Sequence, residues 1–370
     1  MRRIAVLPGD GIGKEVVEAS MGVLDAVAEN SSFAFSAEYF DAGAERYLSD
    51  GSTIHDDELR ALSASDAVFL GALGDPRVKP GVLEKGVLIR IRTHLGTYIN
   101  LRPVRMRPGL CPLRDPRHFD LDFIRENSED FYMGLGLEAD GPGAFGLGSV
   151  RDNARIDISM DFSVEPVQPF GFEVGIITRS GAERFADYAF SVARDKGRDK
   201  VTLVDKANVC TGIYGLQRKV FEAKSEEYGI DLEYMYVDAM AMALVRAPQR
   251  FGVVALPNLF GDVLTDLGAE LQGGLGVSPS ANVRPGGTGM FEPVHGSAPD
   301  IAGKGLANPF AAILAAAMML SDIGFREEAD RVSDAVDACI SKGRTTPDLG
   351  GKLSTSEAGK AVADEVRASK

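Results

Sequence analysis

The segment "FGVVALPNLFGDVLTDLG", residues 251–268, places a short β-rich run directly before a helical pattern. After the run, apolar residues recur at three- and four-residue steps, namely Phe260, Val263, Leu264, Leu267 and Leu271. This spacing predicts an amphipathic helix that packs along that stripe. Asp262 and Asp266 lie one turn apart on another face, where they form either a solvated surface or two ligands of a shared cation.

The same alternation of strand and helix patterns extends outward in both directions. "RIAVLP" precedes a predicted helix from about Lys14, "DAVFLGAL" follows the helical "DDELRALSAS", and "KVTLVD" and "LEYMYVDAMAMALV" are further β-rich runs. This order predicts an α/β protein with a largely parallel sheet. Ligands collect at the carboxyl ends of such strands, and Lys206, Asp238 and Asn258 each follow a predicted strand closely.

Composition limits the class of protein. The 370 residues suffice for two domains, and 45% hydrophobic with 25% charged residues is typical of a globular chain. A net charge of −14 without a basic block argues against nucleic-acid binding. We find no apolar run long enough for a bilayer and no secretory pattern, so we expect a cytoplasmic protein. The three cysteines are far apart, as expected for reduced thiols.

Two glycine-rich segments need separate interpretations. "PGDGIGKE" follows the first strand but lacks the G-x-G-x-x-G spacing, so we reject a Rossmann fold and predict a tight turn before a helix. "GLGLEADGPGAFGLGSVRDN" has no clear period, so it is interpreted as a loop or an extended arm.

Several charged groups are candidates for a site. Arginine forks bind carboxylates, and "LIRIRTHLGTYINLRPVRMRPG" carries Arg90, Arg92, Arg102, Arg105 and Arg107, with Arg125 and Tyr132 following in "RENSEDFY". Lys206 is either an ordinary ion-paired lysine or a general base. Asp238 is the only acid of an apolar run, which favours a functional role. The loop "FEPVHGSAPDIAGKGLANP" suggests a ligand-binding segment.

Seven ordered motifs carry a family resemblance. "LPGDGIG", "NLRPVR", "RENSE", "DKANV", "YVDAMAM", "NLFGDVLTDL" and "FEPVHGSAPDIAGKGLANP" resemble the β-decarboxylating dehydrogenases, which act on isopropylmalate, isocitrate, homoisocitrate and tartrate or D-malate. The resemblance implies two α/β domains with a shared long, mixed and mostly parallel sheet, different from Rossmann. We expect a large domain of residues 1–99 and 253–370, a small domain of 100–252, and a dimerisation arm at about 134–172.

The resemblance also implies a role for each matching residue. Leu88, Arg92, Arg102 and Arg125 match substrate-binding positions, and Tyr132 and Lys206 match the catalytic acid and base. Asp238, Asp262 and Asp266 match ligands of Mg²⁺ or Mn²⁺, with Lys206 and Asp238 contributed by the neighbouring subunit of a homodimer. The cofactor positions are Glu292, His295, Gly296, Ser297, Ala298, Asp300, Ile301 and Asn308.

The implied reaction is an oxidative decarboxylation. Asp300 repels the 2′-phosphate of NADP, so we expect NAD as cofactor. Apolar Leu88 and Ile89 favour 3-isopropylmalate, and hence leucine biosynthesis, over isocitrate or homoisocitrate. "YINLRPVR", "RENSE" and "KLSTSEAG" instead resemble the tartrate/D-malate branch, and Arg90 is an additional charge. A catalytically silent regulatory subunit is the alternative outside the enzymes, although the site residues are complete. The expected partners are therefore a small carboxylate substrate and a second copy of the chain.

Overall fold

The structure, a computed structural model, describes residues 1–151, 154–165 and 167–369. It contains two compact units, Met1–Leu121 with Asp266–Lys370, and Asp122–Thr265. The predicted domain boundaries lie at 99/100 and 252/253, whereas these units divide the chain after Leu121 and after Thr265. Asp152, Asn153 and Pro166, which belong to the predicted arm, lie outside the described residues.

Strands and helices alternate along the chain. The strands are β1 (Arg2–Gly9), β2 (Phe35–Tyr39), β3 (Ala67–Ala72), β4 (Ile99–Arg105), β5 (Asp120–Glu126), β6 (Gly136–Ala139), β7 (Gly143–Arg151), β8 (Ala154–Phe162), β9 (Phe170–Glu173), β10 (Lys200–Asp205), β11 (Asp231–Tyr236), β12 (Val253–Leu256), β13 (Pro279–Val283) and β14 (Gly289–Pro293). The α-helices are α1 (Gly13–Glu29), α2 (Ala44–Asp50), α3 (Asp56–Ser63), α4 (Arg90–Leu95), α5 (Arg179–Asp195), α6 (Thr211–Tyr228), α7 (Val237–Arg246), α8 (Asn258–Gln272), α9 (Phe310–Asp322), α10 (Arg326–Ser341) and α11 (Thr355–Ala368). A π-helical turn, Glu84–Ile89, leads into α4, and short 3₁₀ turns span Phe131–Met133, Pro248–Arg250, Leu275–Val277 and Pro347–Leu349.

The first unit is built on six strands in the order β4-β13-β14-β3-β1-β2. β13 is antiparallel to both of its neighbours, and the other pairs are parallel. Helix α9 packs against β13 and β14 and is apolar on nearly every side, because other helices of the unit cover the face that points away from the strands. An apolar cluster joins these strands to α4 and includes Leu7, Val68, Leu70, Ile91 and Met290.

The second unit has four parallel strands in the order β11-β10-β12-β5. Helices α5 and α6 pack together through aromatic rings, with Phe221 5.2 Å from Phe185 and 5.9 Å from Phe190 between centroids. Two antiparallel ribbons, β6 with β9 and β7 with β8, occupy the segment predicted as a loop or arm. The prediction of an α/β class with a mixed, mostly parallel sheet is confirmed.

The opening segment forms the strand and helix that its pattern predicts, as β12 and α8. The predicted apolar stripe is wrong at one residue, because Val263 is 63% exposed while Leu264 and Leu271 are buried. The buried face of α8 instead uses small residues, including Gly268 and Ala269. Val263 therefore lies on the same exposed side as the two aspartates.

Three further expectations concern turns, thiols and membranes. Gly9 and Gly11 have positive φ, and α1 starts at Gly13, so the tight turn is confirmed. The three cysteines are free thiols. Within the described part of the chain, the helices are too short or too polar to cross a membrane.

Candidate active site

Asp262 of α8 contacts two of the predicted site residues. Its Oδ1 accepts a hydrogen bond from the Arg125 guanidinium, and its Oδ2 accepts one of 2.7 Å from the Tyr132 hydroxyl. Arg125 is 3% exposed and is held by Asn258. Nε of Arg125 donates to Oδ1 of Asn258 at 3.0 Å, and Nη2 of Arg125 donates to the same oxygen at 2.7 Å. The second unit thus brings together a buried cation, a phenol and a carboxylate.

The environment of Tyr132 alters its acidity. Partial burial, followed by the hydrogen bond to Asp262, raises the pKa of the phenol above its usual 10.0. The Arg125 guanidinium carbon lies 5.2 Å from the ring centroid and opposes this shift only in part. Tyr132 therefore stays protonated through the neutral range and holds a transferable proton.

Asp266, one helical turn from Asp262, contacts a different arginine. Its Oδ1 accepts a 3.1 Å hydrogen bond from Nη1 of Arg102, and Asn100 accepts from Nε of the same arginine at 2.7 Å. Arg92 on α4 donates to Oε1 of Glu292 at 2.7 Å. Each predicted substrate arginine is thus oriented by an acceptor within its own unit.

Lys206 and Asp238 form a third pair. The lysine follows β10 and donates to Oδ1 of Asp238 at 2.6 Å, which lowers the pKa of that carboxyl. The expectation that Asp238 lies in apolar surroundings is wrong, because its side chain is 65% exposed. The apolar run changes from strand to helix at Val237, so the acid projects from the first turn of α7 towards solvent.

The predicted cofactor loop follows β14 and packs on the glycine turn before α1. The N–H of Ile12 donates to the carbonyl of Ser297 at 2.9 Å, and a Cβ on Gly11 would lie 2.0 Å from that oxygen. Ala298 has a φ of +38°, a strained conformation that clusters at functional sites. Asp300 is exposed at the tip of the loop.

The loop has a group suited to a ligand. Nε2 of His295 is buried and has no hydrogen-bond partner among the described residues, and burial lowers the pKa of the ring. A neutral imidazole in a loop that also exposes Gly296 and Asp300 fits a polar cofactor. Asn308 accepts a hydrogen bond from the Phe310 N–H at the start of α9 at 3.0 Å and donates to Asp348.

The donor set of the aspartates fits a hard divalent cation, since all the candidate atoms are carboxylate oxygens. Within the described residues, the structure gathers no group of three acidic, histidine or cysteine side chains able to hold a metal ion. Asp262 and Asp266 leave α8 one turn apart, and the third predicted ligand, Asp238, belongs to another helix.

Comparisons with known proteins establish the family of the chain. Residues 3–362 match the family model described as isocitrate/isopropylmalate dehydrogenase. The chain belongs to the isocitrate/isopropylmalate dehydrogenase family. It is 42% identical to a 3-isopropylmalate dehydrogenase of Archaeoglobus fulgidus, over 98% of this chain and 99% of that one. It is 40% identical to a protein of the same name from Streptomyces coelicolor, over 96% and 98%.

Solved structures of the family show the same fold. The isocitrate dehydrogenase of Methylococcus capsulatus superposes with a TM-score of 0.84 and 35% identity, covering 99% of this chain and 100% of that one. A β-decarboxylating dehydrogenase of Thermococcus kodakarensis gives 0.75 and 36%, with 100% and 97% coverage. The predictions of the family, the fold and a dehydrogenase activity are confirmed.

Three arginines of the arginine-rich segment have structural roles in this family member. Arg90 donates to the carbonyl of Ile54 at 2.6 Å and pairs with Asp56, so its charge is engaged on the surface next to α3. Arg105 pairs with Asp120 at 3.2 Å. Arg107 pairs with an acid of α10, and burial lowers the pKa of its guanidinium.

Sequence reasoning missed the neutral residues that hold the arginines. The sequence singles out Asn258 only by its position after a strand, and it gives no role to Asn100 or Asn282. Asn282 is fully buried in the apolar strand "PSANV", and a polar residue inside such a strand was the available signal.

Glu15 was also missed. Its carboxylate accepts the N–H groups of Gly303 and Gly305 in the cofactor loop.

Proposed function

We propose that this protein catalyses the NAD- and divalent-metal-dependent oxidative decarboxylation of a 3-substituted (2R)-malate, with 3-isopropylmalate as the favoured substrate. The supporting observation is the identity of about 40% with proteins named 3-isopropylmalate dehydrogenase, over nearly the whole chain. Leucine biosynthesis is the corresponding proposed pathway.

The surroundings of Leu88 support an apolar substituent on the substrate. Leu88 packs against a buried cluster that includes Val87 and Ile91, so an alkyl group beside it would meet apolar side chains. Arg90, whose charge favoured a more polar acid, is bonded to Ile54 and Asp56 instead. These contacts favour 3-isopropylmalate over the tartrate, D-malate and isocitrate alternatives.

The proposed chemistry assigns a role to each side chain. Bound NAD would accept a hydride, and Mg²⁺ or Mn²⁺ held by Asp262, Asp266 and a partner copy of Asp238 would polarise the substrate's oxygen. The substrate arginines bind and orient its carboxylates. Lys206 takes the proton from the C2 hydroxyl, and Tyr132 returns a proton to carbon after CO₂ leaves.

A second copy of the chain fits the exposed apolar side chains of the second unit. On α7, Met242 is 68% and Val245 51% exposed, which is unusual for large apolar residues at the helix that carries Asp238. The rings of Phe145, Phe162 and Phe172 cluster on one side of the ribbons while remaining half-exposed. We propose that a homodimer covers these surfaces and that each site takes Lys206 and Asp238 from the partner.

The cofactor choice has its own test. Asp300 is exposed and Ile301 half-exposed in the loop, so both can face an adenosine ribose. Replacing Asp300→Lys together with Ile301→Tyr removes the repulsion of a 2′-phosphate and supplies a cation. The ratio of kcat/KM for NAD to that for NADP should fall. An unchanged ratio would contradict the assignment.

The decisive experiment measures NADH formation with Mg²⁺ for 3-isopropylmalate, D-malate, tartrate, isocitrate and homoisocitrate. We expect the highest kcat/KM for 3-isopropylmalate, and loss of activity on chelation that added Mg²⁺ or Mn²⁺ restores. A preference for D-malate or tartrate would support that branch. Absence of turnover with every acid, despite nucleotide binding, would support a regulatory subunit.

A further inference from the structure

Four polar side chains cross three adjacent strands of the first unit beneath the surface. Asn100 of β4 and Asn282 of β13 are fully buried, and Ser280 and Glu292 are nearly so. The strand register places Asn282 opposite Asn100, and Ser280 opposite Glu292. Buried polar groups cost free energy unless they are paired, so a row of four in an apolar sheet requires an explanation.

The hydrogen bonds along this row run from Arg102 to Glu292, where Arg92 donates from the opposite side. Nε of Arg102 donates to Oδ1 of Asn100 at 2.7 Å, and Nδ2 of Asn100 donates to Oδ1 of Asn282 at 3.1 Å. Nδ2 of Asn282 donates to Oε1 of Glu292 at 2.8 Å, and the same oxygen accepts from Nη2 of Arg92 at 2.7 Å. An unbroken chain of donors and acceptors therefore links the two arginines.

Asparagine is suited to both inner positions of the chain. Each must accept at its oxygen and donate at its nitrogen, which aspartate cannot do when ionised and which leucine cannot do at all. Asn100 also donates to Oγ of Ser280 at 2.7 Å, which fixes its amide further. Aligned hydrogen bonds in a water-excluded environment polarise one another, so the chain is stiffer than separate contacts would be.

We infer that Asn100 and Asn282 are positioning residues that hold Arg92 and Arg102 at a fixed spacing for a substrate with two carboxylates. The inference rests on the proposed function, which assigns both arginines to the substrate. Neither asparagine needs to touch the substrate, because each acts through the side chain that it orients. Glu292 is the shared acceptor that connects Arg92 to the chain.

The first test replaces Asn282→Asp, which keeps the size of the side chain and removes its donor. The charged groups near the introduced carboxyl include Glu292, in direct contact, Arg92, which Glu292 accepts from, and Arg102, which donates to Asn100. At pH 8 two carboxylates would face each other, and we expect the KM for the acid substrate to rise at least about tenfold. At pH 6 a protonated introduced carboxyl can donate to Glu292, so the KM should return towards the wild-type value.

Asn100→Ser is the second variant, because it is uncharged and leaves folding less at risk. We expect a KM for the acid substrate about fivefold above wild type, with a smaller change in the KM for NAD. Ser20→Ala is the control, since it deletes a buried hydrogen bond to the Val16 carbonyl away from the row. The control should leave both KM values unchanged.

The measurement uses the acid that the wild-type enzyme oxidises best in the panel. Substrate KM values within twofold of wild type in the folded Asn282→Asp and Asn100→Ser variants would overturn the inference. If Asn282→Asp does not fold, the Asn100→Ser result decides alone. A wild-type enzyme that prefers an acid other than 3-isopropylmalate would count against the proposed substrate and leave this comparison intact.

Discussion

Tyr132 shows how a single side chain can be prepared for proton transfer. Its hydroxyl donates to Asp262 at 2.7 Å, and its raised pKa keeps the proton available through the neutral range. For Tyr132→Phe we expect kcat for NADH formation to fall by about 10²- to 10⁴-fold, with little change in the melting temperature. A variant with kcat within threefold of wild type would contradict the role proposed for the phenol.

Glu126 makes stability depend on pH. Burial, and secondarily the charge of Glu129, raises the pKa of Glu126 to about 7 from its usual 4.5. The Glu126 carboxyl therefore loses its proton at a lower pH in the unfolded chain than in the folded one. Its protonation contributes fully to the free energy of unfolding below pH 4.5, and this contribution is lost as pH rises to about 7. The free energy of unfolding should therefore decrease by about 2 to 3 kcal/mol between pH 5 and 8 because of Glu126. Denaturant titrations at pH 5 and pH 8 should show that the free energy of unfolding decreases less in Glu126→Gln than in the wild type. Equal decreases in the two proteins would refute this account.

Individual residues show which parts of the site the sequence could predict. An ion-paired lysine is one of the two alternatives that the sequence leaves open for Lys206, but the partner that the structure gives it, Asp238, does not follow from the sequence. The exposure of Asp238 and Val263 could not be predicted, since periodicity gives the faces of a helix but not which face a partner or solvent covers. Asn282 was missed because its role depends on strand register, which brings together residues distant in sequence.

At the scale of elements, α1 holds the proposed cofactor loop through one carboxylate. Glu15 accepts the N–H of Gly303 at 2.6 Å through one oxygen and that of Gly305 at 3.1 Å through the other. Glu15→Gln leaves only one accepting oxygen, so the loop that carries Asp300 should loosen. We expect the KM for NAD to rise about fivefold, corresponding to about 1 kcal/mol, while the KM for the acid substrate stays constant.

Glu18 provides the matched control for this prediction. It lies on the same helix and is exposed, so Glu18→Gln removes an equal charge without touching the loop N–H groups. Both Michaelis constants should match wild type in this variant. Equal effects of the two substitutions would show that charge, and not the two hydrogen bonds, governs cofactor binding.

Regular elements were easier to predict than irregular ones. β12 and α8 follow from hydrophobic period and length. The π-helical turn Glu84–Ile89 could not be predicted, because an i to i+5 pattern has no distinct spacing of apolar residues. The ribbons of the arm segment were interpreted as irregular because glycine weakens the alternation that indicates a strand.

At the scale of the whole molecule, the site as proposed combines residues of two chains. The described residues of a single chain gather no three-ligand metal group, and Asp238 lies on α7, which exposes large apolar side chains. One sequence without a partner cannot specify which copy supplies each ligand. The assignment of Lys206 and Asp238 to the partner comes from the family resemblance, so it requires an experiment that separates contributions from the two chains.

Mixing two inactive variants provides that experiment. Chains carrying Tyr132→Phe are mixed with an equal amount of chains carrying Lys206→Met and allowed to exchange. Half of the resulting dimers are mixed, and each mixed dimer has one intact site. The mixture should therefore recover about one quarter of wild-type activity, because the two chains of a symmetric dimer contribute reciprocally. A mixture of Lys206→Met and Asp238→Asn chains should recover no activity. Each chain then supplies one damaged residue to its partner's site, so neither site of a mixed dimer is intact. A mixture of Tyr132→Phe and Lys206→Met that stays inactive, although its chains have exchanged, would show that both residues serve the same chain's site.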